Sequence, residues 1–191
     1  MNLKRHMILG GVLAALALSH AVAAPMATGD HEDRLKAAFV FNFLKFVEWP
    51  GDGGEARTGP LRLAVIGKGA IPAAIKDAID GKTVQGRPVK VALFPDAAAW
   101  NNATEGSQAL FVTSATGPDW DAIRTAASNR PILTIANSTG FCNGGGMLNM
   151  FEEGNRIRFE ANLSAVSQAG LKLRSELLKL AVIVKTGAPP P

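Results

Sequence analysis

Residues 61–79, LRLAVIGKGAIPAAIKDAI, decide the fold class. Leu61 to Ile66 is a short apolar run with the length of a buried strand, and Gly67-Lys68-Gly69 breaks it. Ala70 to Ile79 then spaces its apolar residues at a helical period. A strand, a glycine turn and a helix in under twenty residues form one half of a βαβ unit. Val89 to Phe94 is the next strand, with Pro95-Asp96 opening a short helical turn. Ala109 to Thr113 is a third strand, and Ser114 to Pro118 leads into a helix over Asp119 to Ser128, where Asp119 suits the helix dipole. Pro131 to Ala136 is a fourth strand. Short apolar strands alternating with helices predict an α/β fold with a doubly wound, mostly parallel sheet.

The pattern changes beyond this repeat. Gly140 to Gly146 is a glycine-rich loop. Met147 to Glu152 and Arg156 to Glu160 are predicted to pair as a C-terminal β-hairpin through Glu153-Gly154-Asn155. Asn162 is placed to cap a short helix that Gly170 ends. Leu171 to Arg174 reads as extended, and Ser175 is expected to cap a final amphipathic helix running through Val184. Upstream, Asp33 to Glu48 is helical and apolar on more than one face, so it should be largely buried. Pro50 ends it, biasing Trp49 to an extended conformation, and Gly51 to Pro60 is a loop.

The N-terminus reads as an address. Lys4 and Arg5 precede the apolar run Met7 to Ser19, and Ala21-Val22-Ala23 supplies a small-x-small cleavage site. The run is shorter than the ~20 residues that span a bilayer. No cysteine follows it to take a lipid. The expectation is a signal peptide over 1–23, a flexible stretch over 24–32, one domain over 33–185 and a disordered tail over 186–191.

Cleavage changes the charge reading. The 191 residues carry 20 Lys plus Arg against 16 Asp plus Glu, and Lys4 and Arg5 leave with the leader, so the net charge falls from +4 to +2. His6 and His20 leave as well, and His31 is the sole histidine that remains. Hydrolases built on serine or cysteine use a histidine base, and histidine-ligated metals need several ligands in concert. His31 lies in a polar stretch near the cleavage site, so neither catalytic residues nor a metal site is expected. The absence of Lys/Arg runs argues against nucleic acid. Gly67-x-Gly69 is read as a tight turn, because Pro72 stands where a dinucleotide fingerprint needs a third glycine.

One positive signal remains among the charges. Lys172 and Arg174 stand two apart in an extended stretch, hence on one face, directly before Ser175 and a helix start. They read either as an anion-binding site or as two solvated charges. Cys142 reads either as buried and inert or as free to pair with another molecule.

Three segments carry a family resemblance. They are Leu35-Lys36-Ala37-Ala38-Phe39 with Asn42-Phe43, Lys45-Phe46 and Glu48-Trp49-Pro50; Ile132-Leu133-Thr134 with Gly140-Phe141 and Gly145-Gly146-Met147; and Ile157-Arg158-Phe159-Glu160 with Asn162-Leu163, Gly170-Leu171-Lys172, Leu177-Leu178 and Leu180-Ala181. In this order and spacing the chain resembles the YfiR-like family of exported bacterial proteins, from about residue 33 to 185. The resemblance implies a periplasmic, Rossmann-like α/β domain without enzymatic activity and without a cofactor. It also implies a repressor that binds the periplasmic part of an inner-membrane diguanylate cyclase and so controls cyclic-di-GMP. An outer-membrane OmpA-like lipoprotein as second partner, and a homodimer, belong to the same implication. The alternative function is a periplasmic sensor of an anionic small molecule. The chain departs from the family at one point. Cys142 matches the first cysteine of a family pair, but Asn149 occupies the second position, so no intrachain disulfide carries over.

Overall fold

The computed structural model describes residues 28–51, 59–103, 106–113, 118–154 and 156–184. The expected signal peptide over 1–23, residues 24–27 of the expected flexible stretch and the expected tail over 186–191 lie outside them. So do 52–58 of the loop after Pro50, 114–117 before the fourth helix, and Asn155 of the hairpin turn.

The chain runs α1 (Thr28–Phe46), β1 (Val47–Glu48), β2 (Leu61–Ile66), α2 (Ala70–Ile79), β3 (Thr83–Val84), β4 (Arg87–Phe94), α3 (Ala97–Asn101) and β5 (Ala109–Val112). It continues through α4 (Pro118–Ala127), β6 (Leu133–Ala136), β7 (Leu148–Glu153), β8 (Arg156–Ala161), α5 (Leu163–Gln168), β9 (Lys172–Leu173), α6 (Ser175–Leu178) and β10 (Val182–Ile183). Eight strands form one sheet in the order β10-β8-β7-β6-β5-β2-β4-β3. Within it β2–β4, β2–β5, β5–β6, β6–β7 and β8–β10 are parallel, whereas β7–β8 and β3–β4 are antiparallel hairpins. The chain steps from β2 to β4 on one side and then places β5 on the other, the reversal that defines a doubly wound sheet. The mixed α/β, mostly parallel architecture read from the sequence is the one observed.

Two apolar layers sandwich the sheet. One face packs Val40, Phe43 and Leu44 of α1 and Ile75 and Ile79 of α2 against Leu63, Val65, Phe111, Ile135 and Met150. Phe43 and Phe159 meet edge-on with ring centroids 5.0 Å apart. The other face packs Trp100 of α3 and Trp120 and Ile123 of α4, with Phe141 and Cys142, against Ile66, Val112 and Ala136. Strands β2, β5 and β6 are buried on both faces, which explains their continuous apolar sequences.

The elements differ from the reading in three places. Helix α1 begins at Thr28, so residues 28–32, including His31, form its first turns and are not a loose stretch. It ends at Phe46, because Val47–Glu48 leave it to pair with β9. Gln85 assists this break, with Nε2 donating to the carbonyls of Lys45 at 3.2 Å and Val47 at 2.8 Å. The expected final helix through Val184 stops at Leu178, and Arg174, not Ser175, holds its N-cap position without a side-chain hydrogen bond. Val182 and Ile183 leave the helix because they are β-branched and can extend the sheet beside β8.

Candidate functional site

The resemblance-bearing segments, far apart in sequence, meet at two places in the fold. The first is the glycine loop between β6 and β7. Phe141 N–H donates to Ser138 O at 3.2 Å, Gly144 N–H to Gly140 O at 2.9 Å and Gly146 N–H to Phe141 O at 2.9 Å, winding the loop tightly. The wrap leaves no room at Gly146, where a Cβ would lie 2.2 Å from the Phe141 ring. That ring is fully buried against Trp120, centroids 4.5 Å apart, and the Trp120 indole donates to Gly144 O at 3.2 Å.

Buried polar groups tie this loop to the hairpin. Met147 N–H donates to Thr134 Oγ1 at 3.2 Å, and Asn162 N–H donates to Met147 O at 2.9 Å. The Asn162 amide donates to Cys142 O at 2.9 Å, while its oxygen accepts from Ala165 N–H at 3.0 Å, capping α5 as its sequence position predicts. Asn149, the position for which the resemblance implies a second cysteine, is 2 % exposed. Its amide donates to Glu160 Oε1 at 3.1 Å, and its oxygen accepts from Ser138 N–H at 2.9 Å. The Cys142 thiol faces Met147 O at 3.6 Å and Glu160 O at 3.8 Å. Burial, reinforced by the Glu160 carboxylate, pushes that thiol far above its ordinary pKa. Of the two readings of Cys142, the buried one is observed.

The second meeting point joins the first and third segments. Val47 pairs with Leu173 and Glu48 with Lys172 in the two-stranded antiparallel β1–β9 sheet. Arg174 N–H donates to Phe46 O at 2.9 Å, and Arg174 Nε lies 3.2 Å from Glu48 Oε1. Gly170 adopts φ +70 after α5, and a Cβ there would meet Pro50 Cγ at 3.5 Å. Trp49 is 2 % exposed, and its indole donates to Gln108 O at 3.2 Å. Lys172, Arg174 and Ser175, proposed from sequence for an anion, therefore lie beside two carboxylates. Glu48 faces both cations, and Ser175 Oγ donates to Glu176 Oε2 at 3.3 Å.

The remaining motif residues are scattered. Asn42 and Lys45 are exposed on α1, Lys45 Nζ lying 5.6 Å from the Phe41 ring centroid and Lys82 Nζ 5.1 Å from it. Arg158 forms an ion pair with Glu153 on the hairpin. At the turn after β2, a Cβ on Gly67 would lie 1.8 Å from Thr113 Oγ1, so this glycine serves close approach of two strand ends.

One feature was missed in the functional reading of the sequence. Lys36 is 8 % exposed, is paired to Glu32 one turn earlier, and lies 3.6 Å from Glu152 on the hairpin. Hydrogen bonds from Lys36, then the contact with Glu152, hold the Glu32 carboxyl below its ordinary range, whereas burial raises that of Asp33. The Glu32–Lys36 spacing of four residues was the available signal. Among the described residues, no group of three or more His, Cys, Asp or Glu side chains is placed to hold a metal, and no helix is long and apolar enough to cross a membrane.

A family model described as YfiR/HmsC-like matches residues 33–182. Among solved structures, a conserved domain protein from Vibrio cholerae superposes with a TM-score of 0.51 at 11 % identity, over 80 % of this chain and 60 % of that one. The ABC domain in complex with L-Trp from Streptococcus pneumonia gives 0.46 at 11 % identity, over 65 % and 55 %. The chain thus spans about 60 % of the length of the Vibrio protein, and the likeness is one of fold. No curated protein matches the chain.

Proposed function

Because this chain belongs to the YfiR/HmsC-like family, we propose that it is an exported, non-enzymatic regulator of cyclic-di-GMP signalling that represses an inner-membrane diguanylate cyclase by binding its periplasmic part. The observation that carries this reading is the extent of the match, which runs from α1 to β10 and includes both places where the motif segments meet. Those meetings consist of buried hydrogen bonds, glycine contacts and apolar packing. They hold a shape for recognition by another protein, and the buried, neutral Cys142 thiol suits such a role better than nucleophilic chemistry. A leader over 1–23, export to the periplasm, a homodimer and an OmpA-like lipoprotein partner belong to the same proposal.

Deleting the gene and measuring intracellular cyclic-di-GMP tests it, together with copurification from a periplasmic extract. The expected result is a rise in cyclic-di-GMP and recovery of a membrane protein with a cyclase domain. Unchanged cyclic-di-GMP and no membrane partner would overturn it. The second reading, in which Lys172, Arg174 and Ser175 hold an anionic small molecule, is weakened by Glu48 and Glu176 at the same place.

A further inference from the structure

We infer that residues 28–36, the opening turns of α1, form a strap that one ion-pair cluster fastens to the β7–β8 hairpin, and that acid releases this strap while the rest of the domain stays folded. The device is independent of what the protein binds.

The stretch up to Lys36 is helical without an apolar anchor. None of residues 29–35 belongs to either apolar layer, and Leu35, the one large apolar residue among them, is 40 % exposed. The buried apolar face of α1 begins at Ala37. It is pinned further on, where Phe39 and Phe43 meet Phe159 with ring centroids 6.3 and 5.0 Å apart. A segment as short as 28–36 does not stay helical in water by itself. Asp30 in the first turn suits the helix dipole, but it is exposed and adds little. Among the described residues, the side-chain contacts that lead out of this stretch run from Lys36 and Glu32 to Glu152.

What fastens the strap is charge held out of water. Lys36 is buried, paired with Glu32 one turn earlier and 3.6 Å from Glu152 of β7. On the hairpin face turned to α1, Glu152 alternates with Met150 and stands opposite Ile157, and it is the one charged residue there. Glu153 and Arg158 pair on the other face. From α1 itself, Asp33 and Asp30 add negative charge nearby, while His31 and Arg34 are exposed. A buried ammonium is tolerated while a carboxylate compensates it, and losing that compensation drives it into water. Lys36 ends the strap and Ala37 begins the core, so hydrating Lys36 frees the strap at that joint and leaves the apolar layer in place. The Lys36 hydrogen bond, then the contact with Glu152, holds the Glu32 carboxyl below its ordinary range. The strap is therefore fastened above that range and loosens as pH falls through the lowered value. Asp33, whose carboxyl burial raises, takes up its proton first and works in the opposite sense.

Amide hydrogen exchange on the purified protein, at neutral pH and at about pH 3, is the test. A helical N–H bonds the carbonyl four residues back, so an unwound strap strips protection from the amides of residues 32–40. Corrected for intrinsic rates, these amides are expected to lose about tenfold or more of their protection in acid, while those of β2, β5 and β6 keep theirs. Glu152→Gln removes the tie to the hairpin and leaves the Glu32–Lys36 pair. It should lower protection over 32–40 by about threefold or more at neutral pH. Lys36→Met should abolish the difference between the two pH values over the same amides. Equal protection at both pH values, a loss shared by the whole sheet, or unchanged protection in Glu152→Gln would overturn the inference. So would an acid response that survives Lys36→Met. The Glu152 side chain is 60 % exposed, so its variant still decides the matter should Lys36→Met fail to fold.

Discussion

The amide of Asn149 donates to Glu160 Oε1 at 3.1 Å across the β7–β8 ladder, while the backbone carbonyl of the same Glu160 faces the Cys142 thiol at 3.8 Å. One residue of β8 thus receives both positions that the family resemblance aligns with a cysteine pair.

Asn149→Ala should destabilise the fold by about 1 kcal/mol, because it removes the buried amide that accepts from Ser138 N–H and donates to Glu160 Oε1, both of which are half-buried. Urea unfolding checks it. A loss below about 0.5 kcal/mol would mean that water replaces both contacts.

Gly146→Ala should cost about 3 kcal/mol, since the new methyl group overlaps the Phe141 ring. In a Phe141→Leu background the same change should cost distinctly less. Additive losses in the double-mutant cycle would reject the steric account.

Cys142 should resist maleimide in the native protein at neutral pH and react at once in denaturant. Burial both blocks access and raises the thiol pKa, so the thiolate is scarce. Rapid native labelling would show that the glycine loop opens.

Stability should fall as pH drops below the ordinary glutamate range. The folded-state pKa of Glu32 is lowered, so its contribution is complete above the unfolded value of 4.5 and is lost as pH falls through the folded value. Asp33 acts in the opposite sense, because its raised pKa makes its charged form unfavourable in the fold and protonation relieves that. Lys36→Met should flatten the Glu32 part of the acid slope in pH-dependent thermal melts, and an unchanged slope would contradict this assignment.

Arg174→Ala should cost no more than about 1 kcal/mol, because both partners of its ion pair with Glu48 are nearly half exposed. The Arg174 N–H to Phe46 O bond survives the change. A thermal melt comparing the variant at low and high salt separates the charge from the backbone.

The fold was most legible where punctuation and period coincide. Gly67 and Gly69 bracket the turn between β2 and α2, and both elements start and stop at the residues that the apolar pattern gives. Asn162 announced its cap because Asn is favoured where a side chain must accept from the third residue on. The last element failed because Leu177, Leu178 and Ala181 do sit at a helical spacing, and the pull on Val182 comes from β8, twenty-two residues earlier. The candidate anion site failed to stand clear of Glu48 for the same reason. Arg174 and Glu48 are 126 residues apart, and only the sheet order brings them together.

That separation also governs when the molecule can close. Strand β1 has no pairing partner until β9 has been made, and Trp49 and Pro50 then settle against contacts that include Gly170. A clasp of such long sequence range forms slowly and late. Strands β2 to β8 can pair without it, so the clasp joins segments from the two ends of a domain whose other strands are already available to one another, and residues 172–173 must be present before β1 is fixed.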